Sequence, residues 1–140
     1  MKIRSANKSD MKNVEKLLNL PELKMATGEN ISAKILSKYL DKKFFLVAEE
    51  NKEIIGTVMG ERLKNGGLSL WYLAVKKDAR EKGVGSALID KIEKNMISEK
   101  KDWIILYAPI KNQKTIRFYK KRGYNKGITH VEFLKYLDKK

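Results

Sequence analysis

The sequence predicts a mixed α/β (α+β) domain, with a mostly antiparallel sheet, one β-α-β crossover and helices on both faces. Three observations carry that prediction. Turn residues at Glu50-Asn51-Lys52 and Asn65-Gly66-Gly67 join three consecutive apolar stretches into hairpins. Val84, Leu88, Ile92 and Met96 then repeat at four-residue steps, the spacing of one helix face. Trp103 to Ala108 is a continuous apolar run beyond that helix, as expected of a central strand covered on both faces.

In chain order, Lys2 to Ala6 alternates as a short strand. Ser9 or Asp10 is the expected cap of a helix whose stripe is Met11, Val14, Leu17 and Leu18. Pro21 and Gly28 bracket an irregular region, and a second helix starts near Ser32 with Ile31, Ile35, Leu36, Tyr39 and Leu40 on its apolar side. Phe44 to Ala48 and Ile54 to Leu63 form a hairpin, with Gly56 and Gly60 as bulges or points of close approach. Leu68 to Val75 is the next strand, and the crossover helix follows with Ala87 and Ile89 widening its face. Pro109 ends the following strand, Thr115 to Arg122 is a short helix stopped by Gly123, and Ile128 to Leu137 closes with strand alternation. The order is β-α-α-β-β-β-α-β-α-β.

Length and composition bound the function. A chain of 140 residues is read as a single domain, 1–140, that hides about two-thirds of its unfolded surface. The absence of cysteine rules out disulfides, thiolate catalysis and zinc-thiolate sites. No apolar run approaches the roughly 20 residues of a membrane span, and no signal-peptide core is seen, so a soluble, cytoplasmic protein with no membrane partner is expected. His130 is the only histidine; one imidazole makes no metal site, and no metal is expected. The net charge of +14 would attract CoA phosphates, nucleic acid or an acidic partner. The lysines are scattered rather than blocked, which favours a solvated surface over a nucleic-acid interface.

The chemistry concentrates at the turn Arg80-Glu81-Lys82-Gly83-Val84-Gly85-Ser86-Ala87, which joins a strand to the long helix. Backbone N–H groups at a helix start lack intrahelical partners and sit at the positive end of its dipole. Gly83 and Gly85 keep side chains away from them, while Arg80 and Lys82 add charge, so a pyrophosphate is a suitable guest. The Rossmann fingerprint fails, because Leu88 stands where its third glycine belongs, and no Walker lysine follows. What fits is Arg-x-x-Gly-x-Gly before an apolar helix.

That turn resembles the acetyl-CoA motif of the GCN5-related N-acetyltransferase (GNAT) family. A second stretch, Asn112 to Tyr124, is similar to the family pattern Asn-x-x-Ala-x-x-Phe/Leu-Tyr-x-x-x-Gly-Phe/Tyr, with Thr115 in place of the alanine. The order of elements also matches, so the resemblance covers nearly the whole chain. It implies a GNAT-like fold and acetyl-CoA-dependent transfer of an acetyl group to a primary amine, on a small molecule or a protein, by direct attack. It implies that the backbone of Leu73, Ala74 and Val75 pairs with pantetheine. Backbone N–H groups from Glu81, Lys82, Gly83, Val84, Gly85 and Ser86 would hold pyrophosphate, with Arg80 at the edge. Asn112 would contact the cofactor. A backbone N–H near Val75 would steady the developing oxyanion, and Tyr119 would protonate or hydrogen-bond the leaving thiolate. Glu29 and Tyr39 fall in the region that shapes the acceptor site, and homodimers are common among the proteins this chain resembles.

Bland readings stand beside these. Tyr119 also reads as a core tyrosine beside Phe118 and Ile116, and Asn112 as a cap or turn residue. Trp71, Tyr72 and Trp103 read as core, and His130 as structural. The base stays unassigned: the two positions where some relatives carry glutamate are Ser69 and Tyr107 here, and Glu61 reads as a solvated carboxylate. Two other classes remain, a CoA-binding module without turnover and a basic nucleic-acid-binding protein. The basic surface disfavours polyamines as acceptors.

Overall fold

A computed structural model describes residues 1–20 and 31–137. The expectations for Pro21, Gly28 and Glu29 lie outside the described residues. These residues form two compact units, Met1–Leu106 and Tyr107–Lys140.

The first unit is a five-stranded sheet in the order β1(Lys2–Ser5), β2(Phe45–Glu50), β3(Glu53–Arg62), β4(Leu68–Val75), β5(Ile104–Ile105). The first four strands are antiparallel, and β4 pairs with β5 in parallel. The β2–β3 turn puts Asn51 and Lys52 both at positive φ, as a two-residue primed turn demands. Asn65 to Gly67 closes the β3–β4 hairpin as expected, with Leu63 N donating to Gly67 O at 2.9 Å.

One face of this sheet carries α1(Met11–Leu18) and α2(Ala33–Ser37). Met11, Val14, Leu17, Leu18 and Leu36 join Phe45, Val47, Met59 and Ala74 in one buried cluster. Ile35, expected on that face, is exposed, while Ile31 and Leu36 are buried in the cluster and Tyr39 and Leu40 pack against it as expected. The cap also differs from expectation. Asp10 does stand at the N-cap position of α1, but its side chain makes no cap hydrogen bond there; Asn7 caps a 3-10 turn over Lys8–Asp10 and completes a capping box with Asp10, ahead of α1. Asp10 is buried and takes both guanidinium N–H groups of Arg4, at 2.7 and 2.9 Å, which hold its carboxyl below the usual carboxylate range.

The long helix α3(Val84–Ser98) covers the other face through Val84, Leu88, Ile89, Ile92 and Met96, all buried. Gly56 makes this possible: a Cβ there would stand 3.0 Å from Val84 Cγ1 and 3.3 Å from Leu88 Cδ1. The first turn of α3 is thereby seated directly on β3.

Two strand expectations are corrected. Only Ile104–Ile105 of the run 103–108 pairs with a neighbour, and it lies at the edge of the sheet among the described residues. Trp103 and Tyr107 are exposed there, so the run is no doubly covered central strand. In the second unit, Ile128 to Leu137 is not a strand; Val131 and Phe133 are exposed at 76% and 91%. Alternation says which face would be buried if a partner paired, and supplies no partner. The element that forms in this unit is α4(Gln113–Lys121). Gly123, at φ 90°, ends it as predicted: Tyr124 N donates to Tyr119 O and Gly123 N to Lys120 O, each at 3.0 Å.

Candidate active site

The site in the first unit is built where β4 ends and α3 begins. The β4–β5 ladder consists of two pairs only, Leu68 with Ile104 and Ser69 with Ile105. Past Ser69, β4 remains paired to β3 but to no strand on its other side, among the described residues. A bulge adds to this divergence. Trp71 pairs with Met59 and Ala74 with Thr57, so Tyr72 and Leu73 together oppose Val58 alone. Tyr72 adopts φ 54°, a left-handed backbone that is uncommon outside glycine. Leu73 and Val75 are half-buried and Ala74 buried, as befits a strand end with one side open to a guest.

From Val75 the chain makes a 3-10 turn over Lys77–Ala79 and reaches the glycine turn. Arg80 bends back, its Nε–H donating to Val75 O at 2.9 Å, which ties the turn to the strand end. Glu81 and Gly83 both have positive φ, 64° and 81°. Gly83 occupies the cap position of α3, where a glycine backbone is free to adopt that conformation and no side chain caps the helix. The first intrahelical bond runs from Ala87 N to Gly83 O at 2.9 Å. The N–H groups of Val84, Gly85 and Ser86 therefore precede the ladder, at the positive end of a 15-residue helix. Glu81 and Lys82 are exposed beside them. This arrangement presents donors to an anion, and an extended amide chain fits the open side of β4.

The remaining candidates, Asn112 and Tyr119, belong to the second unit. Asn112 caps α4, its Oδ1 accepting from Thr115 N at 3.1 Å, which leaves its amide N–H groups for other partners. Tyr119 is buried. Its ring meets Phe118 and Tyr124 edge-on, with centroids at 5.0 and 5.3 Å. Burial pushes its hydroxyl up to about 12, with Arg122 pulling weakly the other way. The phenol is thus a durable hydrogen-bond donor at neutral pH.

Three features were not foreseen from sequence. One is the Tyr72 bulge, another the Arg80–Val75 tie. The third is a pairing of Trp71 with Glu61, whose Oε1 accepts from Trp71 Nε1 at 3.1 Å. Trp71 and Trp103, expected in the core, are 39% and 38% exposed, and Tyr72 is half-buried. The run Leu68 to Val75 has no polar break that would mark a bulge, so only the backbone reveals it. Among the described residues no cluster of three His, Cys, Asp or Glu is arranged to hold a metal ion, and no helix is long and apolar enough to cross a membrane.

Comparison with known proteins gives a consistent picture. Residues 41–126 match the family described as acetyltransferase (GNAT) domain. An acetyltransferase of Pectobacterium atrosepticum is 40% identical over 84 residues, 60% of this chain and 59% of that one. An acetyltransferase of Photorhabdus laumondii is 38% identical over 84 residues, 60% of this chain and 58% of that one. The match thus spans less than two-thirds of either relative. Among solved structures, Ard1 from Thermoplasma volcanium superposes with a TM-score of 0.76 at 25% identity, covering 87% of this chain and 80% of that one. The ribosomal-protein-S18-alanine N-acetyltransferase of Escherichia coli gives 0.76 at 16% identity, covering 91% and 79%, and shares the fold.

Proposed function

Because the chain belongs to the GNAT acetyltransferase family, we propose that it transfers an acetyl group from acetyl-CoA to a primary amine, in the cytoplasm, with residues 1–140 acting as one domain. The observation that carries this reading is the two-pair β4–β5 ladder, which leaves one edge of β4 open from Leu70 to Val75, the strand end that leads into the side-chain-free cap of α3. A thioester donor with a pantetheine arm and a pyrophosphate needs both an open strand edge and a cluster of N–H donors.

In this proposal the backbone of Leu73, Ala74 and Val75 aligns the arm of the donor. Val84, Gly85 and Ser86 donate N–H groups to pyrophosphate, with Glu81, Lys82 and Gly83 completing the loop and Arg80 bracing it against Val75. Acetyl-CoA supplies the acyl group and a thiolate leaving group. A strand-end N–H near Val75 donates to the carbonyl oxygen as negative charge grows there. Asn112 offers its amide N–H groups to the donor. Tyr119 keeps its proton and donates a hydrogen bond to sulfur: with its hydroxyl near 12 and an ordinary thiol near about 8.5, full proton transfer runs uphill. A second reading, binding without turnover, is favoured by Ser69 and Tyr107 at the positions where some relatives carry glutamate.

The test is thermal unfolding with and without acetyl-CoA, on the wild type and Gly85→Glu. Saturation at 100 times the dissociation constant adds about 2.7 kcal/mol. A shift in the wild type that disappears in a folded Gly85→Glu is expected, and thiol release with a panel of amines then separates transfer from binding alone. No shift at millimolar acetyl-CoA would overturn the reading.

A further inference from the structure

The β-sheet face that carries α1 and α2 also holds a carboxylate without a cationic partner. Glu61 follows Met59 by two residues on β3, so both point to that face, and Trp71 joins them as the cross-strand partner of Met59. The Trp71 indole N–H fixes Glu61 Oε1 at 3.1 Å. Glu61 forms no ion pair among the described residues. Its neighbour Arg62 does not supply one, because its guanidinium is taken up by two other carboxylates. It binds Asp41 through Nε at 2.6 Å and Glu99 through Nη1 at 2.6 Å, and holds Glu99 down to about 2. Glu61 is therefore oriented by a neutral donor, the exposed Trp71 indole, at the rim of a cavity of about 240 Å³ that Lys38, Tyr39, Leu40 and the paired Asp41 and Arg62 also line. Trp71 directly precedes the Tyr72 bulge, in the stretch of β4 that has already parted from β5, so the pair stands beside the open stretch of that strand.

We propose that Glu61 and Trp71 form the subsite that receives the acceptor's ammonium group. The inference rests on the acetyl-transfer reading. A primary alkylamine is almost wholly protonated at neutral pH, with a pKa of about 10.4. A fixed carboxylate next to an indole face suits such a cation, by a charge-assisted hydrogen bond on one side and cation–π attraction on the other. The site selects locally for a cationic amine although the surface as a whole is basic, since Arg62 is neutralised by its own two carboxylates.

Trp71 is its own reporter. In a Trp103→Phe background it is the only tryptophan. Hexylammonium chloride should change its emission saturably, while the neutral hexan-1-ol should not. Glu61→Gln should weaken the half-saturation about tenfold, the worth of one charge-assisted bond. In a thiol-release assay the same variant should raise the KM for hexylamine about as much and leave the KM for acetyl-CoA unchanged. If Glu61→Gln does not fold, Glu61→Asp draws the carboxylate back from the indole and is expected to show the same loss. Equal binding of the alcohol, or unchanged ammonium affinity in a folded variant, would overturn the subsite. Glu61-dependent ammonium binding without thiol release from any amine would leave the subsite standing and sink acetyl transfer instead. Thiol release with a Glu61-independent amine KM would do the reverse.

Discussion

At the scale of single residues, Tyr119 links burial to chemistry. Its hydroxyl is pushed up to about 12 by desolvation, so the folded chain keeps the proton over a range in which an unfolded chain, near pKa 10, gives it up. The stabilisation associated with the neutral phenol is complete below about pH 10 and is lost as pH rises toward about 12. Tyr119→Phe has no proton to lose. Its urea midpoint should fall less steeply than that of the wild type across that window. Under the proposed mechanism the same variant should lower kcat by about 10²-fold while leaving the acetyl-CoA thermal shift in place. A kcat within twofold of the wild type would remove Tyr119 from the chemistry and leave it a core tyrosine.

At the scale of elements, the joints decide what the sequence could tell. The hairpin turns were legible because Asn-Lys and Asn-Gly-Gly have few alternatives to a tight reversal. The Gly83 turn and the Gly123 stop were legible for the same reason, and both glycines do take positive φ. The Trp103 to Ala108 and Ile128 to Leu137 readings went astray because hydrophobicity reports a wish for burial and says nothing of pairing partners. Asp10 was placed rightly at the start of α1, but the side-chain cap comes from Asn7 one turn earlier, and Asn7, Ser9 and Asp10 are all capping residues within four positions. Asp10 closes that joint by serving Asn7 N at 2.8 Å and Arg4 together. Its carboxyl is held low chiefly by the Arg4 hydrogen bonds, so its contribution is present above about pH 4 and is lost as pH falls below that. Asp10→Asn should cost about 1–3 kcal/mol at pH 7 by urea unfolding. The gap to the wild type should narrow at pH 3.

At the scale of the whole molecule, charge and function pull in different directions. A net charge of +14 spread along 140 residues repels itself in the folded state. Salt screens that repulsion, with a Debye length falling from about 30 Å at 0.01 M to about 10 Å at 0.1 M. Melting without ligand should therefore shift upward with added NaCl. The acetyl-CoA shift should shrink over the same range, because the donor's phosphates lose part of their attraction. A Tm that falls with NaCl would show that specific ion pairs, such as Arg62 with Glu99, outweigh the global field.

The bulge in β4 is a spare residue in the ladder. Remove Tyr72, and Leu73 falls opposite Val58 while the pairs on either side, Trp71 with Met59 and Ala74 with Thr57, keep their register. The fold can thus close over the gap, and a straighter β4 would lose the divergence that the bulge adds to its open edge. The deletion should yield a chain that still folds cooperatively yet no longer answers to acetyl-CoA. Stability and activity would then be written in different residues of the same strand.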